Sequence, residues 1–282
     1  MKANKGLRYV TTERIKVNAE GLTTAANLLR DGALVAFPTE TVYGLGADAT
    51  NGAAVARVFE AKGRPSFNPL IVHVPDLASA RGIGAFSGAA ERLVAEGWPE
   101  ALTLVLPLKP SSRIAPLVTA GNATVALRIP AHATARALLE ACGRPVAAPS
   151  ANPSGRISAT TADHVIAGLG GRIDAVLDGG PTQVGLESTI LGFDRDTPVV
   201  LREGGFIIDG AQRSTVFTPS AGKGAAAAPG QFSSHYAPKA RVRLNAVTAE
   251  PGEILLGFGA VTGDLSLSAS GDLVEAAANL FA

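Results

Sequence analysis

The sequence predicts an α/β domain on a mixed sheet, followed by a linker and a small α/β C-terminal unit. Three observations predict it. Short apolar runs alternate with helical patterns through most of the chain. Some strand-like neighbours, STILGF and then VVLR, lie too close for a helical crossover, so the sheet is not strictly parallel. Periodicity then stops near residue 211, in a stretch rich in Gly, Ala, Ser and Pro.

TTAANLLRDG (Thr23 to Gly32) has a Thr start, apolar spacing and a Gly stop, the pattern of a capped helix. ALVAF (Ala33 to Phe37) follows as a strand. NGAAVARVFEAKG (Asn51 to Gly63) is a second helix, with Asn51 as N-cap and Gly63 just past the last turn. LIVHV is the next strand. Further strand-like runs are LTLVLPL, TVALRI, PVAAP, DAVLD, STILGF and VVLR, with helical stretches AHATARALLEAC and TTADHVIAGL between several of them. AQRSTVFTPSAGKGAAAAPGQFSSHYAP reads as linker, and ARVRLNAV, GEILLGFG and DLVEAAANLF after it read as strand, strand and helix. The expected domains are 1–210, a linker at 211–238, and the start of a C-terminal α/β domain at 239–282, which is small for an independent core and has the look of a truncated one.

Composition narrows the function. Charged residues are 17% of the chain, against roughly 25% in ordinary soluble domains, and 46% are apolar. The net charge is +1, so no general basic field recommends nucleic-acid binding, and any anion must be held by a local cluster. The single cysteine, Cys142, excludes an intramolecular disulfide and suits a reducing compartment. No apolar run approaches the ~20 residues of a membrane span, and the N-terminus lacks a signal-peptide core; a soluble cytoplasmic protein is expected.

GLGADA (Gly44 to Ala49) has the form of a dinucleotide fingerprint, but PTETVY separates it from the strand that it should follow directly. Its glycines are expected to serve a tight turn. There is no phosphate-binding P-loop sequence and no G-x-S-x-G elbow. The four histidines, at 73, 132, 164 and 235, have no paired ligand spacing, so no protein-held metal is expected.

What remains is a set of polar positions at strand ends, where open α/β sheets collect ligands. PTETVYG follows the first strand. KGRPSFNPL precedes LIVHV, and PSANPSG follows PVAA. Arg128 interrupts an apolar strand, Ser188 and Thr189 open STIL, and Arg202 ends VVLR. Each has a plain structural alternative. Thr39 and Thr41 read as turn residues, Lys62 as a solvated charge at a helix C-terminus, Arg128 as a surface strand residue, SANPSG as an Asx turn, and His73 as a satisfied core histidine. Arg64 is less easily dismissed, because the glycine before it and the proline after it restrict its backbone. One pocket would explain all of these positions together. Arg64, Arg128 and Arg202 with hydroxyls between them suit a ligand with several anionic groups, of the size of ATP.

In order, FPTETVYGLG, KGRPSFNPLIVHV, LTLVL, VALRIP, PSANPSGRIS, ESTIL and LREG resemble the YrdC-like family of L-threonylcarbamoyladenylate synthases, across about residues 20–205. HYAP (His235 to Pro238) and the α/β start beyond it resemble the longer, two-domain form. The resemblance implies a twisted α/β fold with a concave, positively charged cavity, and an enzyme, a nucleotidyltransferase, that condenses L-threonine, bicarbonate or CO2 and ATP into L-threonylcarbamoyl-AMP and pyrophosphate. A partner transferase then uses the product to make threonylcarbamoyladenosine in tRNA.

The resemblance also implies roles. Thr41, His73, Arg128, Ser150 and Ser188 match the L-threonine site, with Arg128 on the carboxylate. Lys62, Arg64, Asn68, Thr124, Asn152, Thr160, Arg202, His235 and Tyr236 match the ATP site. Mg2+ is expected with ATP, carried by the phosphates because no carboxylate cage is visible. No membrane and no stable direct nucleic-acid binding are expected.

Two departures stand out. Pro99-Glu100-Ala101-Leu102-Thr103 stands where the family reads P-G-P-L-T, which would alter a loop near the pocket, and the C-terminal unit is short for the family. A different class of function, a non-catalytic RNA-binding or ribosome-associated module, remains as the alternative; near-neutral charge speaks against it. Carbamoyl transfer from carbamoyl phosphate would call for zinc-finger-like cysteine clusters, and the chain has one cysteine.

Overall fold

A computed structural model describes residues 10–208, 212–213 and 240–280. In chain order the elements are β1 (Glu13–Lys16), α1 (Ala19–Arg30), β2 (Val35–Phe37), β3 (Gly44–Asp48), α2 (Gly52–Lys62), β4 (Ile71–His73), α3 (Leu77–Ile83) and α4 (Gly88–Gly97). β5 (Leu102–Pro107), β6 (Thr124–Arg128), α5 (Ala133–Cys142), β7 (Val146–Ala147), α6 (Ala162–Leu169) and β8 (Ala175–Asp178) follow. β9 (Thr189–Asp194), β10 (Thr197–Arg202), β11 (Gln212–Arg213), β12 (Leu256–Phe258), β13 (Leu265–Ser268) and α7 (Leu273–Asn279) complete it.

The main sheet runs β1-β8-β2-β3-β7-β4-β6-β5-β9-β10-β11, and β12 and β13 pair separately. It is mixed, as expected: β4 and β6 are parallel, β5 and β6 antiparallel, and the closely spaced β9 and β10 antiparallel. β11 pairs parallel to β10 at the edge of this sheet.

Period-2 alternation divides the core between the two faces. Val72, Leu104, Leu106, Leu127 and Leu191 point to one face, under α2, α3, α4 and α6. On the other face, α1 and α5 cover Val35, Phe37, Val146 and Leu177. His73 is the register partner of Val146, so His73 shares this second face, and so does Ile71 two residues earlier. There Ile71, Val105, Ala126 and Ile190 form a separate small cluster to which no helix residue belongs. The helices thus cover half of this face, and the other half is the floor of a cavity.

Local signals acted as read at α2. The Asn51 side chain accepts from the Ala53 and Ala54 amides, and Gly63 ends the helix at φ 61°. At α1 the start differs. The cap is Asn18, which accepts from Gly21, while Thr23 lies inside the helix and bonds back to Ala19. GLGADA is not a turn but β3, paired antiparallel to β2 and β7. Its glycines are a packing requirement: a Cβ on Gly46 would meet Phe37 Cε1 at 2.9 Å and Val35 O at 3.0 Å. β1, α3 and α4 had no sequence expectation.

ARVRLNAV is not a strand: among the described residues it has no pairing partner, and Arg241 to Asn245 are exposed. GEILLGFG and DLVEAAANLF do form β12 and α7, with β13 between them parallel to β12. This unit buries little; Leu273 and Val274 are 76% and 71% exposed. Its α7 lies against the turn at Gly185, where an added Cβ would meet Ala277 O at 2.5 Å. No helix among the described residues is long and apolar enough to cross a membrane.

Candidate active site

The cavity is lined by Thr39, Thr41, Arg64, His73, Arg128, Ser150, Glu187, Ser188 and Arg202 among others, over the apolar floor of Ile71. Sheet register assembles it. His73 and Arg128 are partners on parallel neighbours, so they stand together at the C-terminal strand ends. All five residues expected at the amino-acid site line it, and so do Arg64 and Arg202 from the nucleotide set.

At one end the β2–β3 loop presents Thr39 and Thr41, whose hydroxyls bond each other at 2.8 Å; both side chains are buried. Arg128 is no surface residue. Its Nη2 donates to Glu40 Oε1 at 2.5 Å, both side chains are under 10% exposed, and its buried Nε has no partner. His73 is buried with Nδ1 unpartnered and Phe37 edge-on at 6.1 Å. Burial, and then the Arg128 charge, push its imidazole down to about 3, so it is neutral. It lines the cavity rather than lying wholly within the core. Ser188 Oγ bonds Thr103 Oγ1 at 2.8 Å and accepts from Arg202 at 3.0 Å. Thr103 belongs to the segment that departs from the family pattern, yet β5 still delivers it to this end.

Lys62 is buried, not solvated. Its ammonium donates to the carbonyls of Ser150, at 2.5 Å, and Asn152, clamping the SAN loop to the end of α2. Burial, followed by the nearby Arg64 charge, pushes it down to about 7, with Glu187 opposing. Arg64 donates to the Asn68 and Pro69 carbonyls at 3.2 and 2.9 Å, which folds KGRPSFNP around its guanidinium. Asn68 and Asn152 each keep a buried side-chain oxygen with no partner. Arg202 grips the 187–188 peptide: Nη1 meets Glu187 Oε2 at 2.5 Å, and Nε and Nη2 donate to Ser188 O.

Lys62, Asn68, Asn152 and Thr160 are buried behind this lining and are not part of it. Thr160 bonds His164 Nδ1 at 3.2 Å. Thr124 opens β6, on the same face as Ala126 and Arg128 but four residues along, about 13 Å from Arg128. His235 and Tyr236 lie outside the described residues.

Sequence reasoning passed over Glu40 and Glu187. An acid at an anion site needs a cation beside it, and each is tied to an arginine, Arg128 or Arg202. The available signal was a carboxylate within otherwise uncharged runs, FPTETVYGLG and QVGLESTIL. Both acids are committed to arginines. Among the described residues no group of three or more histidine, cysteine, aspartate or glutamate side chains could hold a metal ion.

The Sua5/YciO/YrdC family profile, described as "Telomere recombination", matches residues 27–204. The threonylcarbamoyl-AMP synthase of Bacillus subtilis is 48% identical over 241 residues, 83% of this chain and 69% of that protein. That of Pyrococcus abyssi is 44% identical over 244 residues, 84% of this chain and 71% of that one. The crystal structure of P. abyssi Sua5 complexed with L-threonine superposes with a TM-score of 0.83 at 37% identity, covering 96% of this chain and 87% of that one.

Proposed function

The chain belongs to the Sua5/YciO/YrdC family and is a threonylcarbamoyl-AMP synthase, a nucleotidyltransferase; from that premise we propose how its cavity works. L-Threonine binds at the Arg128 end and the ATP phosphates at the Arg64 and Arg202 end. The observation that carries this is the single cavity that gathers Thr41, His73, Arg128, Ser150 and Ser188 with Arg64 and Arg202.

The Arg128 fork pairs with the threonine carboxylate through the N–H groups that Glu40 leaves open. Thr41, Ser150 and Ser188 offer hydroxyls to the rest of the amino acid. His73 adds a hydrogen-bonding nitrogen without a charge. The surrounding guanidinium groups disfavour an ammonium, so they lower the cost of presenting threonine as a free amine. Bicarbonate gives CO2 by losing hydroxide; the amine attacks that CO2 and gives a carbamate, and the proton lost from nitrogen joins the hydroxide as water. A carbamate oxygen attacks the α-phosphorus, and the bond to pyrophosphate breaks. Charge grows on the leaving phosphates, and fixed cations aimed there stabilise it without reorganising.

Magnesium comes with ATP as part of the nucleotide substrate. His235 and Tyr236 belong to the nucleotide set by resemblance alone. Residues 1–210 are the catalytic domain and 211–238 a linker to the C-terminal domain. The product feeds a transferase that modifies tRNA, in the cytoplasm.

The test is pyrophosphate release with ATP, bicarbonate and each amino acid in turn. Threonine-dependent release, lost in Arg64→Ala, is the expected result. Release without threonine dependence contradicts the function, and full activity in both Arg64→Ala and Arg128→Ala contradicts the site. RNA binding with steep salt dependence and no ATP turnover would favour the non-catalytic alternative.

A further inference from the structure

We infer that Glu40 is a positioning residue: it holds the Arg128 guanidinium in the one orientation that receives a substrate carboxylate, and so sets the preference for a free amino acid over its amide. This rests on the reading of the Arg128 end as the threonine site.

Glu40 is an acid in the uncharged loop FPTETVYGLG, yet it is only 5% exposed. A carboxylate is not buried there without use, because desolvation must be offset by full pairing. Its pairing is complete and points one way. Oε1 accepts from Arg128 Nη2 at 2.5 Å, and Oε2 accepts from the Ala131 amide at 3.1 Å. Its own carbonyl accepts from the Val184 amide at 2.8 Å, and that of Thr41 accepts from Gly185 at 3.0 Å. Glu40 therefore ties three segments together: the loop carrying Thr41, the end of β6 carrying Arg128, and the turn leading to Glu187 and Ser188.

A guanidinium is a planar fork with five N–H groups. Holding Nη2 on Glu40 restrains the plane. The Nε–H, buried and unpartnered, then remains in a fixed place for a further acceptor. A carboxylate meets such a fork with two acceptor oxygens, whereas a carboxamide offers one and brings an N–H against the donors. Without Glu40 the fork can turn, and the advantage of the second oxygen shrinks. A purely structural ion pair would weaken all ligands alike.

The experiment is calorimetric binding of L-threonine, L-threoninamide and ATP to the full chain, in the wild type, Glu40→Gln and Glu40→Asp, with thermal midpoints as a check on folding. Glu40→Gln keeps the shape but removes the charge that anchors Nη2. The expected result is a threonine-to-threoninamide preference that falls ~10-fold in Glu40→Gln, is partly recovered in Glu40→Asp, and leaves ATP affinity within about twofold. An unchanged preference in folded Glu40→Gln overturns the inference, as does a parallel loss of ATP binding. Failure of the wild type to bind threonine at all overturns the site assignment itself.

Discussion

His73 and Arg128 are register partners on the parallel strands β4 and β6, so a neutral imidazole and a guanidinium stand side by side at one end of the cavity. The pairing explains both. Arg128 helps to keep His73 uncharged, and His73 adds polarity beside Arg128 without adding a second cation.

Arg128→Lys keeps the charge but loses the planar fork that meets Glu40 and a carboxylate together. The Michaelis constant for threonine should rise ~10–10²-fold with that for ATP nearly unchanged. Steady-state kinetics with each substrate varied in turn checks it.

His73 stays neutral down to about pH 3, so its titration contributes no limb to the pH–rate profile between pH 5 and 8. The same profile in wild type and His73→Gln, at lower activity in the variant, is the expected outcome. A wild-type limb near pH 6.5 that vanishes in the variant would show that His73 does titrate there.

Lys62 gives a stability signature. Its folded pKa is about 7, against an ordinary 10.5, so between those values the unfolded chain holds the extra proton. The cost of the buried charge is fully present below pH 7, and stability rises as pH climbs toward 10.5. Denaturant unfolding at several pH values should show the wild type gaining on Lys62→Met across that window and not below it.

Gly46→Ala tests why β3 is rich in glycine. The added methyl would meet Phe37 Cε1, Val146 Cγ1 and Val35 O at 2.9–3.0 Å, against a sheet that has no room to yield. A loss of about 1–3 kcal/mol in denaturant unfolding is expected.

What could be read from the sequence was local. Asn51 and Gly63 mark the ends of α2 because capping depends on a few neighbouring residues. STILGF and VVLR lie too close in the chain for a helical crossover, and they form the antiparallel pair β9–β10. β3 was hidden because its glycines answer to Phe37 and Val146, which only pairing brings near. Lys62 looked solvated because the two carbonyls that bury it come from the SAN loop, far along the chain. ARVRLNAV alternates like a strand, but alternation supplies no partner. Within the site, the lining cations and hydroxyls stood out by residue type. Glu40 and Glu187 did not, because their use appears only when Arg128 and Arg202 are beside them.

The most direct test of the central claim is mass analysis of the nucleotide product formed from ATP, L-threonine and isotopically labelled bicarbonate. One cavity that joins an amino-acid end at Arg128 to a phosphate end at Arg64 and Arg202 predicts a single adenylate containing threonine, AMP and one labelled carbon, absent in Arg128→Ala. A threonine adenylate without the label, or AMP formed equally well without threonine, would contradict it.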